Sequence, residues 1–492
     1  MPRKKLAQKP FDAFVMGYGK ADITPVVSER VGLAGNNDQH KRKVTGVLEP
    51  IWANCVAFTD TDNTTVLVFG MDLHSLSPAM AKRIRRAVRA KTGVPDAFIQ
   101  LNASHNHSGP DIGSVTRKAT RLYNRLLVEK CVQAAVDAME SRKQTKMYFT
   151  FIRPEKMMFV RHYLLLDGTY QGQGLPFPPQ ESFCGYSEKG DNLLQMVKFT
   201  REGEKDVVMI NWQGHPHAFT GDPATYTQVM GGGPAVMRQV LLQKADTESI
   251  YIMGPGGNGV QRSFYRPHNE HIYYKPYGEE LGDRMIAAFD TFREAQTGKI
   301  FYEYTEDVSF PGYENRFYPL GAFGFGDFGY VSAPGEMFQA NVMPVRESSP
   351  YKFTFYAQLS NGGDAGYVPD ARGVAYGCYE CGPCFCPLGS GEVFQKLLTE
   401  MIQRVFTQSG QTVKEKDPGY ITDHSPKKDG IHYENPGLPA VAVNNGFYQI
   451  KLLANGQEKT LLVENQGTAE AVLKEKHPKL LLSEQNVVVG IE

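Results

Sequence analysis

The sequence predicts an α/β fold of layered sheets with flanking helices, followed by a small β-rich C-terminal unit, and three observations predict it. Apolar runs of strand length alternate with amphipathic stretches of helical period through the first two thirds of the chain. Four of the strand-like runs end in His, Glu, Asp or Tyr, and α/β sheets hold their ligands outside the carboxyl ends of strands. After Gly410 the composition shifts to Lys-, Pro- and Gly-rich loops, and two β-type runs then flank Asn455-Gly456.

Residues 65–70, a continuous apolar run, read as a buried strand. Ser77-Pro78 opens a helix as cap and first helical residue, and that helix runs through the Arg-rich stretch 81–90. A strand at 97–102 leads into Ser104-His105-Asn106-His107, and a long helix follows over about 117–140. Further strands are expected at 146–152, 193–199, 207–212, 249–253, 329–333 and 353–359, and helices at 234–245, 277–294 and 392–406. The Asn455-Gly456 turn between runs at 447–453 and 459–464 predicts a hairpin. The organisation expected is one catalytic unit over 1–410, a linker or wrapping arm over 411–440 and the β-rich unit over 441–492.

Lys plus Arg equals Asp plus Glu, at 53 each, so no global field draws this chain to nucleic acid or to an acidic membrane. Its expected partner is a small-molecule substrate, and self-association into a homo-oligomer stays open. No run approaches the roughly 18 apolar residues that span a bilayer, so no stable membrane insertion is expected. The basic start Met1-Pro2-Arg3-Lys4-Lys5 is followed by no apolar stretch before Gly17, and the seven cysteines include the scattered Cys55, Cys131 and Cys184. These features predict a cytoplasmic protein with reduced thiols.

The strand-end residues are His105 and His107, His215 and His217, Glu336, and Asp364 with Tyr367. A His-x-His pair on extended chain points both imidazoles to one face, and imidazole with carboxylate suits zinc. Histidines also fall into such spacings on ordinary surfaces, so spacing alone leaves a structural role open.

At these residues the sequence resembles the neutral/alkaline, non-lysosomal ceramidase family. The resemblance begins at Gly17-Tyr18-Gly19-Lys20-Ala21-Asp22-Ile23-Thr24-Pro25 and passes through the Gly32-Leu33-Ala34-Gly35 turn. Its most specific segment is Ala103-Ser104-His105-Asn106-His107-Ser108-Gly109-Pro110, similar to the family's A-T-H-T-H-S-G-P. The resemblance implies a ceramidase-like catalytic domain with zinc (Zn2+) as cofactor. It implies His105, His215 in Asn211-Trp212-Gln213-Gly214-His215-Pro216, Glu336 in Ala333-Pro334-Gly335-Glu336 and Tyr367 as metal ligands. It further implies His107 and Tyr379, beside Glu380, as active-site groups, and Arg161 as a substrate-binding arginine that can hold an oxygen or carboxylate.

Three departures from the family stand out. The serine of its G-D-V-S-P-N motif is replaced by Val260 in Gly257-Asn258-Gly259-Val260, which has no hydroxyl to offer. The turn at Gly257, Asn258 and Val260 is expected to border the substrate, its amides either forming an anion nest or serving only as a turn. Cys378, Cys381, Cys384 and Cys386 fall within nine positions, a run that can hold a soft metal or cluster or can be a loop of free or paired thiols. Finally, only about eighty residues follow Gly410, where the family carries a longer C-terminal domain. The reading is therefore a zinc-dependent hydrolase cleaving a C–N bond in a small soluble substrate rather than ceramide. Hydrolysis of an ester, lactone or glycoside, and a non-catalytic zinc scaffold, are the alternatives.

Overall fold

The computed structural model describes residues 11–35, 42–114, 116–165, 170–172, 183–186, 190–216, 223–261, 273–375, 377–421, 447–454, 457–464 and 486–491. Nine strands form the principal sheet: β1 (Val15–Asp22), β2 (Trp52–Thr59), β3 (Thr65–Met71), β4 (Ile99–Ala103), β5 (Lys143–Ile152), β6 (Leu194–Arg201), β7 (Val207–Trp212), β8 (Glu248–Met253) and β9 (Arg293–Ala295). They pair in the order β8-β7-β6-β5-β1-β2-β3-β4, with β9 added to β5. Two neighbouring pairs are parallel, β3 with β4 and β7 with β8. Parallel neighbours need a crossover, and helices supply it. The helices packed on this sheet are α1 (Pro78–Thr92), α2 (Lys118–Glu140), α3 (Gly232–Ala245) and α4 (Tyr274–Ala287), of which α1 and α3 are the crossovers.

The second sheet contains β10 (Phe301–Thr305), β11 (Leu320–Phe325) and β12 (Phe328–Ser332). After the short β13 (Glu336–Met337), α5 (Gln339–Ser348) crosses over to β14 (Phe353–Ala357), which pairs parallel to β12. The short β15 (Tyr367–Val368) pairs parallel with β13, and α6 (Ser390–Ser409) packs on the outer face of this sheet.

Side-chain alternation sorts the strands into layers. In β2, Ala53, Cys55 and Ala57 face α1 and α2, while Val56 and Phe58 face the inter-sheet core. The outer face of β7, with Val208, Ile210 and Trp212, packs under α3 and α4. The core between the sheets is aromatic: Phe149 of β5 and Phe353 of β14 stack with centroids 3.9 Å apart. A ring pair contributes about 1 kcal/mol beyond the area it buries. Gly17 and Gly19 of β1 let α2 approach, since a Cβ at Gly17 would lie 1.8 Å from the Ala138 carbonyl oxygen and one at Gly19 2.2 Å from that of Ala134.

The principal sheet coils until its two edges meet, the usual twist carried far. Asn102 near the end of β4 accepts the Met253 amide of β8 at 2.9 Å. Asn211 of β7 donates to the Ile252 carbonyl at 3.0 Å and to the Tyr356 carbonyl of β14 at 2.9 Å, tying the second sheet to the first. The carboxyl ends of strands far apart in sequence are thereby brought together.

The helix expected over 277–294 instead ends at Ala287, and the chain turns and adds β9 to the sheet. Thr291 explains the stop: its hydroxyl donates to the Ala288 carbonyl at 2.7 Å and pairs with Thr150 Oγ1 at 2.6 Å, holding the turn against β5. At the C-terminus, Phe447–Ala454 and Gln457–Glu464 pair antiparallel as the hairpin reading requires, and Asn486–Ile491 joins them. Asn455 and Gly456, and the expected arm beyond Ile421, lie outside the described residues. Among the described residues no helix is long and apolar enough to cross a membrane.

Candidate functional site

Four strand ends deliver the site. His74 lies three residues beyond β3, His105 and His107 follow β4, His215 follows β7, and Glu336 opens β13 beyond β12. Glu336 and Tyr367 are register partners across the β13–β15 pair, so the topology sets a carboxylate and a phenol side by side. His105 is held at φ +64°, a left-handed conformation that a side chain of this size adopts only at a cost of roughly 1–3 kcal/mol. Gly35, at φ +93°, packs under His107, where a Cβ would sit 2.7 Å from the ring.

Three imidazoles converge by their Nε2 atoms. His107 Nε2 is 3.2 Å from His105 Nε2 and 3.0 Å from His215 Nε2. The second nitrogens of His105 and His215 face main-chain oxygens: His105 Nδ1 lies 3.1 Å from the His74 carbonyl and His215 Nδ1 lies 3.3 Å from that of Gly256. A ring that donates from Nδ1 presents a bare lone pair at Nε2, which is how proteins aim imidazole at a metal.

Glu336 Oε2 lies 3.1 Å from His105 Nε2 and 3.6 Å from His215 Nδ1, is buried, and takes no hydrogen bond among the described residues. With the His105 proton on Nδ1, a carboxylate oxygen and an imidazole lone pair face each other across 3.1 Å. That arrangement is repulsive unless a cation lies between them, so the residues fit a divalent metal. Ligand atoms of His105, His215 and Glu336 all fall within 4.8 Å of one another, as do those of His74, His105 and His107.

Arg161 stands behind this group, 1% exposed. Its Nε donates to Glu380 Oε1 at 2.7 Å, one Nη to the Gly257 carbonyl at 2.6 Å, and it also hydrogen-bonds Tyr367. Burial would raise the Glu380 carboxyl, but Arg161 and His162 outweigh burial and hold it at about 2. Burial pushes the Tyr367 phenol up and Glu336 adds to that, while Arg161 opposes both. The guanidinium thus already has a carboxylate, a carbonyl and a phenol of the protein as partners. Tyr379 is 43% exposed, its ring 6.1 Å from that of Tyr367.

The Gly257 turn is tied into the protein through its amides and side chains. The Gly256 amide donates to Gln358 Oε1 at 3.0 Å and the Gly257 amide to the Met337 carbonyl at 2.9 Å, so neither is left for an anion nest. Asn258 Oδ1 accepts the Gln339 amide at 3.1 Å, and Val260 is buried in a bridge with His215. Asp364 pairs with Arg316 at 2.8 Å, in place of joining the histidines. His217 lies outside the described residues. His74 is the residue that sequence reasoning missed; its ring lies 4.4 Å from that of His105 and 4.9 Å from that of His107, and the strand-end rule applied to β3 would have found it.

No protein-family model matches the sequence, and no curated protein matches it. Solved structures do. The neutral ceramidase from Pseudomonas aeruginosa superposes with a TM-score of 0.63 at 13% identity, covering 92% of this chain and 89% of that one. A ceramidase complexed with C2 gives a TM-score of 0.62 at 13% identity, covering 92% and 90%. At this identity the likeness shows the fold, and the fold is that of the neutral ceramidases.

Proposed function

We propose that this chain is a zinc-dependent hydrolase of the neutral ceramidase type, diverged at the serine position, that cleaves an amide bond in a small soluble substrate. His105, His215, Glu336 and Tyr367 would hold the ion. The observation that carries the reading is the buried Glu336 Oε2, without a hydrogen bond among the described residues, 3.1 Å from His105 Nε2, with Nδ1 of both ligand imidazoles turned to main-chain carbonyls. A zinc ion held by this set would supply Lewis acidity and lower the pKa of water toward neutrality. His107, its Nε2 within 3.2 Å of both ligand histidines, takes and returns the proton in acid–base exchange at this centre. Tyr379 at the exposed side donates to the carbonyl oxygen as charge develops there. Arg161 keeps Tyr367 and the Gly257 carbonyl in place. Val260 offers no hydroxyl, so the reaction runs through water and forms no acyl-enzyme at that position. The balanced charge of the chain supports a small-molecule substrate over nucleic acid.

Elemental analysis of the native protein and of His215→Ala, with turnover of a panel of small N-acyl amides, tests this. Zinc near one equivalent at this site in the parent, lost together with turnover in His215→Ala while circular dichroism is unchanged, is the expected result. A metal-free parent, or His215→Ala with full zinc and full activity, would overturn it.

A further inference from the structure

The cysteine run has no part in the hydrolytic reading, and the structure divides it. Cys384 and Cys386, with sulfurs 3.6 Å apart, sit in the apolar cluster under α6 with Leu388 and Phe394. Cys378 and Cys381, also 3.6 Å apart, bracket the single turn Tyr379–Cys381. Among the described residues no three of the four sulfurs share a candidate ligand group, so the run does not place its thiols around one ion. Instead Cys378 groups with two residues of other chemistry: ligand atoms of His162, Cys378 and Glu380, all buried, lie within 4.8 Å of one another.

We propose that His162, Cys378 and Glu380, with Cys381 joining them by a side-chain rotation from its place 3.6 Å from the Cys378 sulfur, form a second, structural zinc site on the far side of Arg161 from the hydrolytic centre. A tetrahedral zinc with Zn–S of about 2.3 Å and Zn–N or Zn–O of about 2.0–2.1 Å has edges of roughly 3.8 Å between sulfurs and 3.3 Å between nitrogen and oxygen. The structure has 3.6 Å between Cys378 Sγ and Cys381 Sγ, and 3.1 Å between His162 Nε2 and Glu380 Oε2. The Cys-x-x-Cys spacing is the one most used for structural zinc. Glu380 Oε1 is held by Arg161 Nε at 2.7 Å, which leaves Oε2 for the ion and supplies the outer hydrogen bond that orients ligating carboxylates. Two thiolates and one carboxylate carry three negative charges, which the dication and the Arg161 guanidinium balance, so the buried ensemble is neutral. Loading releases the two thiol protons to solvent and moves the His162 proton to Nδ1. The ion would clamp the turn that carries Tyr379, fixing that phenol beside the hydrolytic centre.

Cobalt(II) reconstitution reads this site alone, because thiolate-to-cobalt charge transfer needs sulfur ligands and the hydrolytic set has none. The metal-stripped full chain reloaded with cobalt is expected to show that near-ultraviolet band. His215→Ala and Cys384→Ser/Cys386→Ser are expected to keep it and Cys378→Ser/Cys381→Ser to lose it. Cys381→His, which retains a ligand should the serine variant fail to fold, is expected to halve the band. Zinc content is expected at two equivalents in the parent and one in both His215→Ala and Cys378→Ser/Cys381→Ser, so the two sites fail independently. No band in the parent, a band that survives Cys378→Ser/Cys381→Ser, or a Cys378–Cys381 disulfide found by mass spectrometry in place of metal would overturn the proposal.

Discussion

Arg238→Met should destabilise the fold and loosen the histidine cluster together. One Arg238 nitrogen donates to both Asp72 oxygens, at 2.7 and 2.6 Å, with side chains 9% and 1% exposed. At an effective dielectric of about 20 the Coulomb attraction at this separation is roughly 6 kcal/mol, most of it offset by desolvation. Removing one partner is a different matter, since it strands the other charge: the expected loss is about 3–5 kcal/mol. Among the described residues the Asp72 carboxylate then keeps only the Trp52 amide at 2.9 Å. Its carbonyl also accepts Asn106 Nδ2, and two residues on lies the His74 carbonyl that fixes His105. Urea unfolding of Arg238→Met, Asp72→Leu and the double variant measures the cycle, with zinc affinity measured on the same proteins. The double variant should be less destabilised than either single one, because no charge is left unpaired. Single losses under about 1 kcal/mol, or a double variant at the sum of the singles, would refute the reasoning.

Further outcomes are expected. Tyr379→Phe should lower kcat by about 10²-fold while zinc content stays at the parent value, and unchanged kcat removes the phenol from the chemistry. Tyr367→Phe should be milder than His215→Ala, keeping part of its zinc, because three protein ligands suffice for a catalytic site. Long-chain N-acylsphingosine should be turned over far more slowly than the best small amide, measured as kcat/KM on labelled substrates; comparable values would reject the Val260 argument. Lys416, lowered to about 8 by burial and then by Arg346, gives a pH effect of defined sign. Between pH 8 and its unfolded value the unfolded chain binds the extra proton, so stability rises with pH across that window. Two carbonyls that bond the ammonium, each at 2.9 Å, oppose the shift, and a rise of about 1–2 kcal/mol relative to Lys416→Met is expected from pH-dependent urea midpoints.

The layered α/β class, the strand at Val207–Trp212 and the long helix at Lys118–Glu140 were legible because burial imprints a period on the sequence. β1 and β2 escaped notice although both are central: β1 carries the two glycines that seat α2, and glycine weakens a strand pattern. At the site the residue types at strand ends could be read, and the structure brings His105, His107, His215 and Glu336 together. The partners that decide their state could not. The His74 carbonyl reaches His105 only once β3 and β4 pair, and the Gly256 carbonyl reaches His215 only once β7 and β8 pair, and no local pattern encodes a contact across 31 or 41 residues. Asp364 shows the reverse error, a suitable residue at a suitable strand end that the fold assigns to Arg316.

Arg161 shows how much of a residue's setting its type leaves unread where coupling is strongest. A lone arginine near metal ligands reads as a substrate clamp, since guanidinium matches carboxylate. Here it is buried, and an unpaired buried cation costs several kcal/mol, so the fold must supply an acid, and Glu380 from the cysteine loop is that acid. One guanidinium then bonds Tyr367, the Gly257 carbonyl and Glu380. Each of these belongs to a different segment, and each touches a different part of the site: Glu336's register partner, the turn beside His215, and the turn that bears Tyr379. The position of the cysteine loop is therefore felt at the hydrolytic centre through a rigid, three-point fork that lysine, a single point charge on a flexible stem, cannot reproduce.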